Sequence, residues 1–249
     1  MRRFAIIGLS LLGVSGCTSS PSSPDQTGGN VTFRTAIDNS IVHTNSSSPH
    51  GSVPGTGNTV DSIEVTSAGF FVSNMLFFSN TTGDQTDPNR TETILRTDHF
   101  ILDFESWGKQ YIGARDITPS TYRSIRFTMQ AADANTDSLS VALGPVFNTF
   151  FASAQGSTVV IRGNIWANNQ KMPFEYRSQL NGNELAVFDA PFTTAAGDLP
   201  KEVDVQLKTF STFSAGSGMI MDPRDPRNAV SIDANLRSSL KASSLTPGS

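Results

Sequence analysis

Along most of this chain apolar and polar residues alternate with the two-residue period of a half-buried strand. The pattern opens at Val31-Thr-Phe-Arg-Thr-Ala-Ile37 and returns over 61–67, 93–98, 100–104, 122–129, 158–166, 172–177 and 184–188. Residues 202–210 give the cleanest case, with Val203, Val205 and Leu207 on one face. Residues 69–78 differ. This Phe-rich run is continuous in apolar character, which predicts a strand buried on both sides or bulged at Gly69. Turn-forming residues separate the runs. They dominate 43–59 and 80–89, and Asn168-Asn169 supplies hairpin chemistry.

Two stretches leave this rhythm. Over 141–154, Phe147, Phe150 and Phe151 fall at helical spacing, and Pro145 suits a first turn. Over 229–240, Ile232, Leu236 and Leu240 share one side of a helix. Roughly nine short strands with one or two short helices predict a single all-β domain over residues 31–245. An antiparallel β-sandwich of immunoglobulin or transthyretin-like type is the expected architecture.

Composition narrows the function classes. Of 249 residues, 37% are hydrophobic and 17 are Phe, enough for a sizeable core and too many for wholesale disorder. Charged residues make up 16%, and the net charge is −4. Without concentrated Lys and Arg, a nucleic-acid partner is not expected, because phosphate neutralisation needs dense positive charge.

The N-terminus carries an address. Arg2 and Arg3 precede the apolar run Phe4-Ala-Ile-Ile-Gly-Leu-Ser-Leu-Leu12, the parts of an export signal. The run is shorter than the roughly 20 residues that a spanning helix needs. Val14-Ser-Gly-Cys17 resembles the bacterial lipobox. That resemblance implies a signal peptide over 1–16, cleavage before Cys17 and acylation of its thiol and new amine. Small side chains at 15 and 16 fit a protease groove, and only a thiol forms the thioether. Cys17 is the sole Cys, so its modification leaves no disulfide and no thiolate ligand. Two or three acyl chains anchor stably where one is marginal. Thr18 stands where an Asp commonly retains such proteins in the inner membrane. The resemblance therefore implies, in a Gram-negative host, an outer-membrane protein facing the periplasm. Residues 17–30, rich in Ser and Pro, read as a lipidated tether reaching ~20–25 Å as a coil.

Three features of the body carry a second resemblance. They are Phe70-Phe-Val-Ser-Asn-Met-Leu-Phe-Phe78, Ile117-Thr-Pro-Ser-Thr-Tyr-Arg-Ser-Ile-Arg-Phe127, and Ile161-Arg-Gly-Asn-Ile followed by Met172-Pro-Phe-Glu-Tyr. In this order they are similar to exported bacterial β-sandwich lipoproteins of unknown function. They resemble more distantly the periplasmic copper-binding proteins found beside methanobactin genes, which would imply a metal role. Ser120 stands where those proteins usually have Gly, and no His or Trp cluster accompanies the motif.

Candidate chemistry is sparse. Asp133-Ala-Asn135-Thr-Asp137 has the spacing that opens an EF-hand calcium loop, but Ser138 and Gly144 replace its Gly and bidentate Glu. A solvated turn is the simpler reading. His43 and His50 share one long loop, and His99 follows Asp98 at the head of a strand. Met219 and Met221 would place two soft thioethers on one strand face, with His99 as a possible third copper ligand. Core or loop packing also explains them. Trp107, Tyr111, Trp166 and Tyr176 are candidates for an aromatic platform toward a sugar or peptide, or for packing. Asp222-Pro-Arg-Asp-Pro-Arg reads as a rigid polar loop. No nucleophile elbow, phosphate loop or dinucleotide fingerprint occurs.

The sequence thus predicts a lipid-anchored envelope lipoprotein that binds or scaffolds without catalysis and needs no cofactor. Its expected partners are membrane lipid, through Cys17, and an envelope protein or ligand. A periplasmic protein binding copper or another metal such as calcium is the alternative, and an envelope hydrolase with an unrecognised site the second.

Overall fold

The Phe-rich segment forms one continuous strand from Ser62 to Phe78, and the rest of the sheet is assembled on it. The computed structural model describes residues 30–43, 60–83, 86, 91–131, 137–154, 156–168, 170–215 and 218–245. In chain order the strands are β1 (Val31–Asp38), β2 (Ile41–His43), β3 (Ser62–Phe78), β4 (Glu92–Arg96), β5 (Phe100–Glu105) and β6 (Gln110–Arg115). They continue as β7 (Ser120–Met129), β8 (Val159–Ala167), β9 (Gln170–Ser178), β10 (Gly182–Thr194), β11 (Lys201–Lys208) and β12 (Leu240–Leu245). The helices are α1 (Asp137–Phe151), α2 (Thr209–Phe213) and α3 (Ala229–Ser239).

All of these strands join one hydrogen-bonded sheet in the order β6-β1-β11-β12-β10-β7-β3-β8-β9, with β2, β4 and β5 also on β3. The first half of β3 pairs with β8 on one side and with β2 and β5 on the other. Its second half pairs with β7 and β4. The exchange of partners is made at register shifts between Val65 and Ser67 and between Val72 and Asn74. An extra residue at such a point bends and twists the strand. Gly69, the expected bulge, lies between these two points and in regular register with both β5 and β8.

Both faces of β3 are buried, as its continuous apolar character requires. Ile63, Val65, Ala68, Phe70, Val72, Met75 and Phe77 enter the main core with Val203, Val205 and Leu207 of β11 and Ile232 and Leu236 of α3. Phe77 has Tyr122, Phe188 and Phe192 around it at ring-centroid distances of 4.9, 5.7 and 5.8 Å. On the opposite face Phe71 packs with Val160 under Phe147, Phe150 and Phe151 of α1. Gly69 is small because α1 lies on it. A Cβ there would meet the Phe150 ring at 2.5 Å. Gly163 of β8 is under a stricter constraint, since its Cβ would lie 1.9 Å from the Glu64 carbonyl oxygen.

The sequence expectation of strands dominating, with few short helices, holds. The topology differs from an antiparallel sandwich in two respects. Pairing is mixed, with β1–β11 and β10–β12 parallel, and the hydrogen bonding runs through one curled sheet. For the β10–β12 pair and the joining of the sheet, the reason is local to the C-terminus. After α3 the chain lays Leu240–Leu245 between β10 and β11, giving their backbone groups partners. Among the described residues three α-helices form rather than two, because the strand expected to run through Phe210 stops at Lys208 and turns into α2. The short strands β2, β6 and β12 were not visible as alternation. The helix expected over 141–154 begins earlier, at Asp137, and is broken at Gly144 (φ 60°), so Pro145 opens its second part. Asn30, expected in the tether, belongs to the body: its side chain bonds both the amide and the carbonyl of Ile117.

Candidate functional site

The alternation of β11 ends at Lys208 because the next residues serve two surfaces. Thr209, Thr212 and Phe213 are buried, while Phe210 and Ser211 face outward. Thr212 donates its hydroxyl to the Lys208 carbonyl at 3.0 Å, closing the single helical turn. The chain then doubles back. Ser214 bridges Ile220, and the Met221 amide donates to the Phe213 carbonyl at 2.8 Å.

Two consecutive Asp-Pro-Arg turns follow. Asp222 accepts from the backbone amide of Arg224 at 2.9 Å and from its guanidinium at 2.8 Å. Asp225 repeats this with Arg227, at 3.0 and 2.7 Å, and caps the 3-10 turn that leads into α3. The loop is therefore stiff, as its composition predicted. The bonds to Arg227 hold the Asp225 carboxyl below the usual carboxylate range.

Polar contacts fix α3 against the sheet and α2. The buried Tyr176 hydroxyl of β9 reaches Asp233 at 2.6 Å and the Ala229 carbonyl at 3.0 Å. Burial raises the Tyr176 pKa well above its ordinary value, and Asp233 adds to the effect. Arg237 pairs at 2.5 Å with Glu184 of β10, whose carboxyl is 3% exposed and is pushed up to about 7 by burial against the pull of Arg237. Asn235 donates its amide to the carbonyls of Thr212 (3.2 Å) and Ser214 (2.9 Å), tying α3 to α2.

Between α2, the returning strand and α3 these contacts leave a cleft of about 580 Å³. Phe210, Ser211, Ser214 and Ala215 form one side, Asn228, Ser231 and Asn235 the other, and Met221 belongs to the lining as well. None of these side chains is ionisable. Phe210 is 44% exposed, whereas Met221 is buried. Asn228 uses its amide nitrogen on the Asp222 carbonyl at 3.0 Å. Asn235 thus spends both amide protons on backbone and Asn228 one of its two, which leaves the Asn235 Oδ1 as an acceptor for a ligand.

The residues singled out from sequence are distributed otherwise. Of the copper candidates, Met221 lies at the cleft and Met219 is half-buried beside it. His99 is elsewhere, stacked on Phe71 at 5.4 Å and 3.3 Å from Gln130. Asp133, Asn135, His50 and Cys17 lie outside the described residues, and Asp137 is the first residue of α1. Among the described residues no three His, Cys, Asp or Glu side chains come together as a metal site.

The four aromatic candidates do not form one platform. Trp107 is 77% exposed on the β5–β6 turn, and Tyr111 follows on β6. Trp166 lines a separate hollow of about 410 Å³ with Ile41, His43, Asp61 and Ser62. Lys171 covers its ring at 4.9 Å. Tyr176 is corrected outright. At 4% exposure it offers no stacking face, because its hydroxyl is committed to α3.

Sequence reasoning missed Phe210, Asn228, Ser231 and Asn235. The signal available was the failure of alternation after Lys208, where Thr-Phe-Ser-Thr-Phe puts two Phe three residues apart, followed by the doubled Asp-Pro-Arg. Two carboxyls, Asp103 and Glu105, lie on β5, which packs against α1. There Asp103 is pushed up to about 6 by burial with Glu105 adding to it, and one of its oxygens is buried with no hydrogen-bond partner among the described residues. Comparison of the chain with protein-family models, curated proteins and solved structures finds no match.

Proposed function

We propose that this chain is a lipid-anchored envelope protein that binds a small uncharged ligand in the α2–α3 cleft and performs no chemistry on it. The observation that carries the reading is the preformed, ion-free cleft, whose walls are pinned by side-chain bonds from Asn228 and Asn235. Its volume falls within the range of about 300–1,000 Å³ usual for small-molecule sites. General acid–base work needs a titratable group within reach, and the lining contains none.

Acylation at Cys17 would hold the module beside a bilayer, on the periplasmic face of an outer membrane in a Gram-negative cell. We place the body among two-leaf β-sandwich modules. β3 changes partners at bulges as corner strands do in sandwiches, and Tyr122 donates to the Thr118 carbonyl at 2.7 Å in the manner of a tyrosine corner.

The anchor is tested by Cys17→Ala, which should abolish lipid labelling and detergent-phase partitioning; unchanged partitioning overturns it. The cleft is tested by ligand-observed NMR on the full-length lipoprotein with a mixed set of neutral amides, polyols and short peptides. Binders lost in Phe210→Ala support the reading, and a set in which nothing binds in a Phe210-dependent way overturns it. Met221 in the lining favours a second reading, a soft-metal site. Stoichiometric Cu(I) retention lost in Met221→Leu would establish it.

A further inference from the structure

We infer that the α2–α3 cleft takes a neutral saccharide, a pyranose ring lying against Phe210 with its hydroxyls turned to Asn228, Asn235, Ser211 and Ser231. This rests on the reading of the cleft as the binding site and specifies its ligand. Three classes of small ligand are distinguished by what the lining offers.

A charged ligand would give up hydration with no opposite charge in the lining to replace it. A wholly apolar ligand would strip water from amide oxygens and serine hydroxyls and leave each of them unpaired. A peptide strand recognises a free sheet edge, and here Ser214 and Ile220 already bridge each other.

A hexopyranose fits what remains. Its C–H face is an apolar patch matched by the exposed Phe210 ring. Its rim is a set of O–H groups that both donate and accept. Asn235 presents an acceptor, because both of its amide protons are held by the carbonyls of Thr212 and Ser214, and Asn228, with one amide proton on the Asp222 carbonyl, can both donate and accept. Ser211 and Ser231 add hydroxyls that have no hydrogen-bond partner among the described residues. The acceptors are also pre-oriented. Helix α3 is fixed by Tyr176–Asp233 and Arg237–Glu184, so little ordering is left to be done on binding.

The test uses the full-length lipoprotein in a detergent without sugar headgroups, with cellotriose as probe and its uronic-acid counterpart as the charged control. Isothermal titration should show cellotriose binding at least about tenfold tighter than the uronate, and Phe210→Ala should weaken it by about tenfold. Phe210 is a surface residue, so circular dichroism should report an unchanged fold in this variant. Ser231→Ala provides the second variant, with a loss of severalfold. Equal binding of the charged control, or cellotriose binding indifferent to Phe210→Ala, overturns the inference. If cellotriose fails while other neutral fragments still compete in a Phe210-dependent way, the saccharide falls and the binding cleft stands. If neither binds, both fall.

Discussion

Glu184 offers a direct measurement of how the C-terminal helix is held. Its carboxyl is buried near the start of β10, and Arg237 of α3 reaches in from a half-exposed position. Burial outweighs the guanidinium, raising the pKa from 4.5 to about 7. Between these values the folded state binds a proton that the unfolded chain has released. The stability contributed by this group is therefore complete below about 4.5 and is lost as pH rises through about 7. At 1.36 kcal/mol for each pH unit, and allowing for water around Arg237, the loss is about 2–3 kcal/mol.

Glu184→Gln keeps the shape and an acceptor for Arg237 but cannot ionise. Urea unfolding of both proteins at pH 4.5, 6 and 8 isolates the effect, since Asp103 on β5 titrates in both proteins and cancels in the difference. The stability of the native protein minus that of the variant should fall by about 2–3 kcal/mol from pH 4.5 to 8. A difference that stays flat across this range would refute the argument that burial of Glu184 exceeds the worth of its ion pair.

The remaining predictions concern packing and the corner. Gly163→Ala drives a Cβ into the Glu64 carbonyl, a backbone atom, and should cost about 3 kcal/mol or more by chemical denaturation. Gly69→Ala meets the Phe150 side chain instead, so it should cost about 1–3 kcal/mol and speed hydrogen exchange in α1 alone. Equal losses with no change in α1 would contradict this assignment. Tyr122→Phe removes the 2.7 Å bonds to the Thr118 carbonyl and the Thr93 hydroxyl and should lower stability by about 1–2 kcal/mol. An unchanged urea midpoint would show that the corner contributes nothing.

What the sequence determined by itself was what depends on short-range periodicity. Val203, Val205 and Leu207 fall on one buried face because strand side chains alternate, whatever lies above them. Ile232 and Leu236 mark the inner side of α3 for the corresponding helical reason, and the density of Phe in β3 announced burial on both faces. Tertiary structure alone decided the pairing. β12, Leu-Lys-Ala-Ser-Ser-Leu, has little strand propensity and becomes a strand because β10 and β11 leave a vacant edge between them. It also decided which aromatics are surface. Tyr176 is held inside by Asp233 on α3, and Phe210 is left at the mouth of a cleft. A cleft formed by residues 210–235 depends on the angle between two helices, which is set by long-range contacts and not by the periodicity of either helix.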